Sequence, residues 1–315
     1  MFCRCIKDNF IHSHINSISR VIKYKRVINL INNNIKYSSS YCLQNVKKYD
    51  YENFLSTLLL PAEARDSAFA IRAFNIEIAQ VRELTREELT ARMRFQFWRE
   101  TVDKIYENSV ANNPVAKALY NAKEKHNLSK KWLKNLIDSR EEILLERPFI
   151  DTEALETYSE KSNSAIYYLI LQCMGIKSLD VDHVASHLGK SEGIVKFIRA
   201  IPHYGTRRRV LIPTSLLALH KVSQEDFIRG KREQKVKDVI FELASIAYRH
   251  LDEAKVMEKD VPKRARVVFF PAVNVSRHLR SLQLRDFDIF DPKLQMRSNL
   301  LPVKLIWAKL RNSYR

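Results

Sequence analysis

Glycine is scarce in this chain: only 5 of its 315 residues are glycine. Few clusters of turn-forming residues interrupt long stretches that are rich in Ala, Leu, Glu, Lys and Arg, and this composition favours helices. We therefore predict an all-α fold. No linker of low complexity and no second composition appears after residue 48, so we expect one helical domain over residues 48–315.

Cysteine and long apolar runs are also rare. Cys173 is the one cysteine after residue 42, and a lone cysteine cannot form an internal disulfide or a cysteine-based metal cluster. The longest apolar stretches, residues 54–61 and 165–175, are shorter than the ~18 residues that a membrane-spanning helix needs. The sequence therefore predicts a soluble or peripherally bound protein.

Acidic residues are almost absent from the first 42 residues, where seven lysines and arginines accompany the single acid Asp8. Serines are frequent there, Ile and Val are interleaved, and no unbroken apolar core of a secretory signal is present. Such a composition is typical of a mitochondrial transit peptide. We predict a disordered transit peptide over residues 1–42; a disordered basic tail is the alternative.

The rest of the chain is also basic. The first 42 residues carry +6 of the total of +18, which leaves +12 for residues 43–315. This charge favours an anionic partner, such as a lipid surface, a nucleic acid or an acidic protein. Lys263, Arg264 and Arg266 form a basic patch, but no RNA-binding motif of the usual kinds surrounds them. We therefore expect a membrane or protein partner and no nucleic acid.

One segment combines an apolar helical run, a basic turn and an apolar exit that ends at Pro213. Residues 193–213 read GIVKFIRAIPHYGTRRRVLIP. The segment resembles the second diphosphate-binding segment of the squalene/phytoene synthase family, in which two aspartates at i and i+4 share a helix face and hold Mg²⁺. On this alignment the aspartates fall on Ala200 and Tyr204, and the neighbouring acid falls on His203.

These substitutions remove the metal ligands of the second segment. Alanine offers no ligand, and a neutral phenol with a pKa near ~10 is a poor one. Pro202 disfavours the helical conformation of the residue before it, so we predict that the helix ends at Ile201.

A second segment shows the same kind of loss. Residues 73–83, AFNIEIAQVRE, resemble the first diphosphate site of the family, and its three acid positions become Ala79, Gln80 and Glu83. Residues 94–100, RFQFWRE, match the segment that follows this site. Further on, two glycines that leave room for a prenyl chain in the family fall on Ser164 and Tyr167, so we expect Tyr167 to fill the cavity.

The resemblance covers about residues 50–285 and implies the helical bundle of the isoprenoid synthases. Residues 72–83, 94–100, 187–195 and 286–292 are similar to one divergent branch of the family. That branch implies a non-catalytic role in the early assembly of mitochondrial respiratory complex I around a membrane-embedded subunit. It also implies a peripheral position on the matrix side of the inner membrane and contact with an assembly intermediate. The basic charge adds anionic lipid as a candidate contact, and the lost acids predict no metal or cofactor.

Four clustered arginines are candidates for a residual anion or partner pocket: Arg199, Arg207, Arg208 and Arg209. Arginine suits bidentate recognition of a phosphate or carboxylate. The alternative is a solvated basic turn in which Arg199 makes an internal ion pair.

Two further functions stay open at this point. The first is a prenyl-diphosphate or lipid-diphosphate transferase with an atypical metal site. It is disfavoured because the loss of even one electrostatic stabiliser typically costs ~10²–10³ in rate. The second is a basic mitochondrial RNA-binding protein.

His183 and His187 have the spacing of a metal-ligand pair, but no third ligand is apparent in the sequence.

Overall fold

The computed structural model describes residues 40–85, 87–145 and 147–315. All of them belong to one compact unit. The predicted transit peptide lies outside the described residues, except for its last three.

Helices and connecting turns make up this part of the chain, and no strand occurs among the described residues. The all-α prediction is therefore confirmed. The helices are α1 Ser40–Tyr49, α2 Tyr51–Leu58, α3 Ala62–Leu84, α4 Glu88–Tyr106, α5 Pro114–His126, α6 Lys130–Glu142, α7 Thr152–Ser159, α8 Ala165–Cys173, α9 Leu179–Gly205, α10 Thr214–Leu219, α11 Gln224–Ile228, α12 Gln234–Val256, α13 Pro271–Gln283 and α14 Leu301–Arg311. A π-helical turn, Glu160–Ser164, joins α7 to α8.

Two long helices organise the bundle. Helix α9 packs along α12, α7 and the π-helical turn, and α3 packs against α1, α5 and α8. In α9 the apolar residues Val181, Ala185 and Leu188 recur every three or four positions and are fully buried, as expected for a helix that faces a core. No helix in the described ranges has both the length and the apolar character that crossing a membrane requires.

The folded part begins earlier than predicted. The sequence placed its start at residue 48, yet α1 begins at Ser40 and packs against α3. Cys42 and Val46 lie one turn apart and are both fully buried. Residues 40–42 are therefore helical, because burial of this apolar face stabilises a segment whose basic composition had suggested disorder.

The prediction that the helix ends at Ile201 is wrong. Helix α9 continues through Pro202 to Gly205. Ile201 and Gly205 are both buried, and a side chain at Gly205 would meet the backbone oxygen of Phe227 at 3.1 Å. Packing of this last turn against α11 outweighs the local preference against helix before proline.

Candidate functional site

The two segments with lost acids meet at one cleft. Ala79 and Glu83 come from the end of α3, and Tyr204 and Arg209 come from the end of α9 and the turn after it. We call this surface the motif cleft. Its remaining walls come from α3, α4, α6 and the chain after α9: Ile78, Arg82, Phe95, Arg140, Ile143 and Leu211.

Glu83, the carboxylate that remains at the acid positions of the first segment, faces the basic turn of the second. It forms an ion pair with Arg207, and Arg209 approaches it to 4.0 Å. The Glu83 side chain is 31% exposed and that of Arg207 is 43% exposed, so the pair contributes at most about 1 kcal/mol. Its main effect is chemical, because the last carboxylate of the motif is already occupied by guanidinium groups.

The way in which α9 ends sets the shape of the basic turn, residues 206–209. The N–H of Arg208 donates to the carbonyl of Gly205 at 2.9 Å, and the N–H of Arg209 donates to the carbonyl of Tyr204 at 2.9 Å. This is the Schellman pattern of helix termination. Arg208 adopts the left-handed conformation at φ 57°, and the turn places Arg207 and Arg209 beside Glu83.

The four candidate arginines do not form one pocket. Arg207 and Arg209 lie at Glu83, and Arg208 is exposed, with Glu225 at 3.5 Å. Arg199 points elsewhere and binds Glu52 of α2 at 2.7 Å. The internal ion pair that the sequence left open as an alternative is therefore the arrangement in the structure.

Glu52 is the centre of a compact polar cluster that the sequence did not reveal. Its carboxylate accepts hydrogen bonds from Arg199 and from Asn274 at 2.7 Å each, and from Arg277 at 3.0 Å; the His278 ring lies at 3.1 Å. Burial alone would raise the pKa of Glu52, but the His278 hydrogen bond and the Arg199 charge hold it far below its usual range. This cluster ties α2 to α9 and α13.

Tyr167, which the sequence proposed as a cavity-filling residue, is buried in the interior of the bundle. It is 1% exposed, and its hydroxyl donates to Glu192 of α9 at 2.5 Å. Glu192 also accepts from Asn53 and Lys196, each at 2.8 Å. Burial opposes ionisation, yet Lys196, Arg72 and the Asn53 hydrogen bond lower the pKa of Glu192 to about 2. The middle of the bundle thus holds a paired carboxylate.

Sequence reasoning missed Glu192, although a signal was present. Ala185, Leu188 and Val195 are buried at helical spacing, and Glu192 lies on the same face of α9. A carboxylate at a core position requires a partner in the folded chain. That expectation could have identified it.

Helix α9 packs closely against the end of α7 and the π-helical turn. This close packing depends on glycines of α9 rather than on glycines of the facing segment. A side chain at Gly189 would lie 2.5 Å from backbone atoms of Ser164, and one at Gly193 would lie 2.6 Å from the Ser159 side chain. Ser164 occupies a position where the family pattern has glycine. The close approach of the two segments is preserved because the small residue, Gly189, lies on α9 instead.

Within the described residues, His183 and His187 do not belong to a group of three potential metal ligands. The Nδ1 atom of His187 lies 3.0 Å from Nδ1 of His250, whose Nε2 lies 3.0 Å from Glu156. Burial, followed by the charge of His250, lowers the pKa of His187. Across the described ranges, no group of three or more His, Cys, Asp or Glu residues is placed to hold a metal ion.

Comparison with known families decides the relationship. The family model described as squalene/phytoene synthase matches residues 46–300 of this chain. The chain belongs to the squalene/phytoene synthase family. Its fold agrees with this: a crystal structure of a dehydrosqualene synthase superposes with a TM-score of 0.76 at 15% identity, covering 90% of this chain and 99% of that one. The squalene synthase HpnC from Alicyclobacillus acidocaldarius gives a TM-score of 0.70 at 16% identity, over 79% of this chain and 94% of its own.

Several relatives are similar along most of their length. A protein of Bos taurus named NADH dehydrogenase (ubiquinone) complex I, assembly factor 6 is 44% identical over 274 residues, which cover 87% of this chain and 82% of that protein. The Homo sapiens protein of the same name is 44% identical over the same coverage. A Drosophila melanogaster homolog is 38% identical over 289 residues, 88% of this chain and 85% of its own.

The motif cleft does not fit the magnesium ions that diphosphate chemistry in this family uses. Mg²⁺ needs oxygen ligands, usually one or two carboxylates together with phosphate oxygens. Ala79 and Ala200 offer none, Gln80 does not line the cleft, and Glu83 is paired with Arg207. His203 is exposed and does not line the cleft.

One charged residue of the cleft lies outside the segments that the sequence analysis named. Arg140 of α6 lines the motif cleft and donates to the hydroxyl of Tyr158. Together with Arg82 and Arg209 it gives this surface an excess of positive charge over the single carboxylate of Glu83.

Proposed function

We propose that this chain acts as a non-catalytic assembly factor for mitochondrial respiratory complex I. The observation that supports this most directly is the 44% identity over 274 residues to the Bos taurus protein named as a complex I assembly factor. Relatives in other animals and in Dictyostelium discoideum carry the same name at 33–44% identity. Neither the diphosphate transferase nor the RNA-binding alternative is favoured by these names.

The non-catalytic part of the proposal comes from the motif cleft. Ionisation of an allylic diphosphate releases a highly charged leaving group that bound metal ions must stabilise. Here the acid positions hold Ala79, Gln80, Ala200 and Tyr204, and Glu83 is paired with arginine. Each lost stabiliser typically costs ~10²–10³ in rate, so the combined loss leaves no measurable turnover.

The motif cleft keeps a role as a binding surface in this proposal. Arg82, Arg140 and Arg209 stand against a single carboxylate, which favours an anionic group such as the carboxylate of an assembly partner or a lipid phosphate. The excess of +12 over residues 43–315 adds a general attraction to anionic surfaces. We place the protein on the matrix side of the inner membrane, in peripheral contact with it and with an assembly intermediate.

Gene deletion followed by blue-native gels of the mitochondria tests the proposed class of function. We expect a loss of assembled complex I, with complexes II to V unchanged and with subassemblies around membrane-embedded subunits affected first. Re-expression of the chain restores complex I. Normal complex I in the deletion strain would overturn the proposal.

Two assays separate the alternatives. Purified protein incubated with Mg²⁺ and prenyl diphosphates should release no diphosphate; release that is lost in Glu83→Ala would establish the enzyme. Crosslinking in mitochondria should recover complex I subunits. Recovery of RNA without those subunits would instead establish the RNA-binding function.

A further inference from the structure

Helix α14 buries one face in the bundle and exposes the opposite face to solvent. Leu301, Leu305 and Ala308 are buried in the bundle. On the other side, four large apolar side chains are between 46% and 76% exposed: Leu300, Val303, Trp307 and Leu310. Their spacing of three, four and three residues places them on one helix face. We call this surface the α14 face.

The charge around the α14 face has a single sign. Residues 292–315 contain six lysines and arginines and no acid. Lys304 and Arg311 are exposed and line the same groove as Val303 and Trp307. Within the described part of the chain, neither cation has an ion-pair partner. Two free cations therefore border an apolar stripe that includes a tryptophan.

This combination identifies the kind of partner. Helices that lie on membranes have an apolar face with Trp and Leu, bordered by Lys and Arg that attract anionic headgroups. Tryptophan favours the headgroup level, because its ring is apolar and its N–H needs a polar partner. An acidic protein helix would satisfy the cations equally well, and shielding of Trp307 by a protein instead of by vesicles is the outcome that would identify it.

A second exposed stripe in the same molecule shows the contrast. Leu89, Met93 and Phe97 of α4 are 47–69% exposed at a spacing of four residues. There the charges are mixed, and Arg92 is already paired with Glu88 at 2.8 Å. Such a surface lacks the uniform positive charge that an anionic bilayer selects, so it serves as an internal control for the α14 face.

We propose that the α14 face docks on an anionic lipid bilayer, with Trp307 at the headgroup level and Lys304 and Arg311 bound to lipid phosphates. The helix Leu301–Arg311 has 11 residues and spans ~16 Å, too short for the ~30 Å hydrocarbon core. It therefore lies along the surface rather than across it. The assignment rests on the peripheral membrane contact in the proposed function and locates that contact at one surface.

Tryptophan fluorescence of the full chain tests the assignment at the contact itself. The chain has three tryptophans; Trp98 is buried, Trp132 is half-buried and Trp307 is 60% exposed. Vesicles of phosphatidylcholine with cardiolipin, prepared with brominated acyl chains, should quench and blue-shift part of the emission. Phosphatidylcholine vesicles should do so far less. The exposed Trp307→Phe variant should lose the quenched component.

Substitution of the cations tests the charge contribution. Each basic residue at an anionic surface is worth about a fivefold change in partitioning, so Lys304→Gln with Arg311→Gln should raise the lipid concentration for half-maximal quenching ~25-fold. Leu89→Ser with Met93→Ser on α4 should leave that concentration unchanged.

The outcomes separate cleanly. If the basic N-terminal segment alone binds vesicles, the protein sediments with lipid but the emission of Trp307 does not change, and the assignment is overturned. If a mitochondrial protein shields Trp307 and vesicles do not, the assignment of a lipid partner is also overturned. Neither result alters the complex I test by gene deletion, and failure of that test would leave vesicle binding untouched.

Discussion

Replacing Tyr167 with phenylalanine removes one hydroxyl from the middle of the bundle and leaves the Glu192 carboxylate without one of its hydrogen bonds. The hydroxyl donates to Oε2 of Glu192 at 2.5 Å, whereas Asn53 and Lys196 both bind Oε1. No other donor is within hydrogen-bond distance of Oε2 among the described residues. Glu192 is only 7% exposed, so bulk water has little access to the freed oxygen.

The magnitude follows from the charge on the acceptor. A hydrogen bond to a charged group contributes about 1.5–3 kcal/mol, and leaving a buried acceptor unsatisfied costs a similar amount. A loss near 2 kcal/mol lowers Tm by roughly 3–4 °C in a protein of this size. Glu192 stays ionised in the folded chain down to a pKa of about 2. The deficit of the variant should therefore be the same at pH 7 as at pH 5.

Urea unfolding followed by circular dichroism measures this loss as a lower midpoint with an unchanged slope. Tyr248→Phe is the matched control, because Tyr248 is 57% exposed and its change should stay within ~0.5 kcal/mol. Tyr167→Ala adds a cavity and should cost ~3–5 kcal/mol. A Tyr167→Phe variant as stable as the wild type would refute the charged hydrogen bond at the centre of the bundle.

Two further variants probe other contacts. Gly189→Ala should destabilise the chain by about 1–3 kcal/mol, because the new methyl would lie 2.5 Å from backbone atoms of Ser164. In an open helix the same change would stabilise by up to ~1 kcal/mol, so a gain measured by urea unfolding would contradict the close approach. His278 is held neutral because burial lowers its pKa from 6.5 to about 4. Since the unfolded chain binds that proton more readily, stability should fall as the pH drops from about 6.5 to about 4. His278→Asn should flatten this slope, and parallel pH profiles of the two proteins would show that His278 does not titrate as described.

The sequence predicted the fold class and the family because those depend on patterns spread along the chain. Long uninterrupted helical periodicity and the aligned segments at residues 73–83 and 193–213 carry that information. Local rules failed where tertiary packing decides. Pro202 lies within α9 because Gly205 packs on Phe227, and α1 begins at Ser40 because Cys42 and Val46 are buried.

For the candidate site, the sequence pointed to some of the residues but not to their pairing. The sequence named Glu83 and the basic turn as separate motif positions, and only the structure shows that Arg207 and Arg209 face Glu83 while Arg199 binds Glu52. Glu52 and Arg199 are 147 residues apart in the chain. Spacing and charge carry no signal over such a separation, so partners of buried ions have to be read from the fold.

Rescue by Glu83→Gln tests the central claim, assembly without diphosphate chemistry. Among the aligned acid positions of the two motif segments, Glu83 is the one that still holds an acid, and glutamine keeps its size and its ability to accept a hydrogen bond from Arg207. In mitochondria that lack the protein, we expect this variant to restore complex I on blue-native gels to the wild-type level. If Glu83→Gln accumulates normally but complex I stays absent, the carboxylate has a chemical role and the account is contradicted.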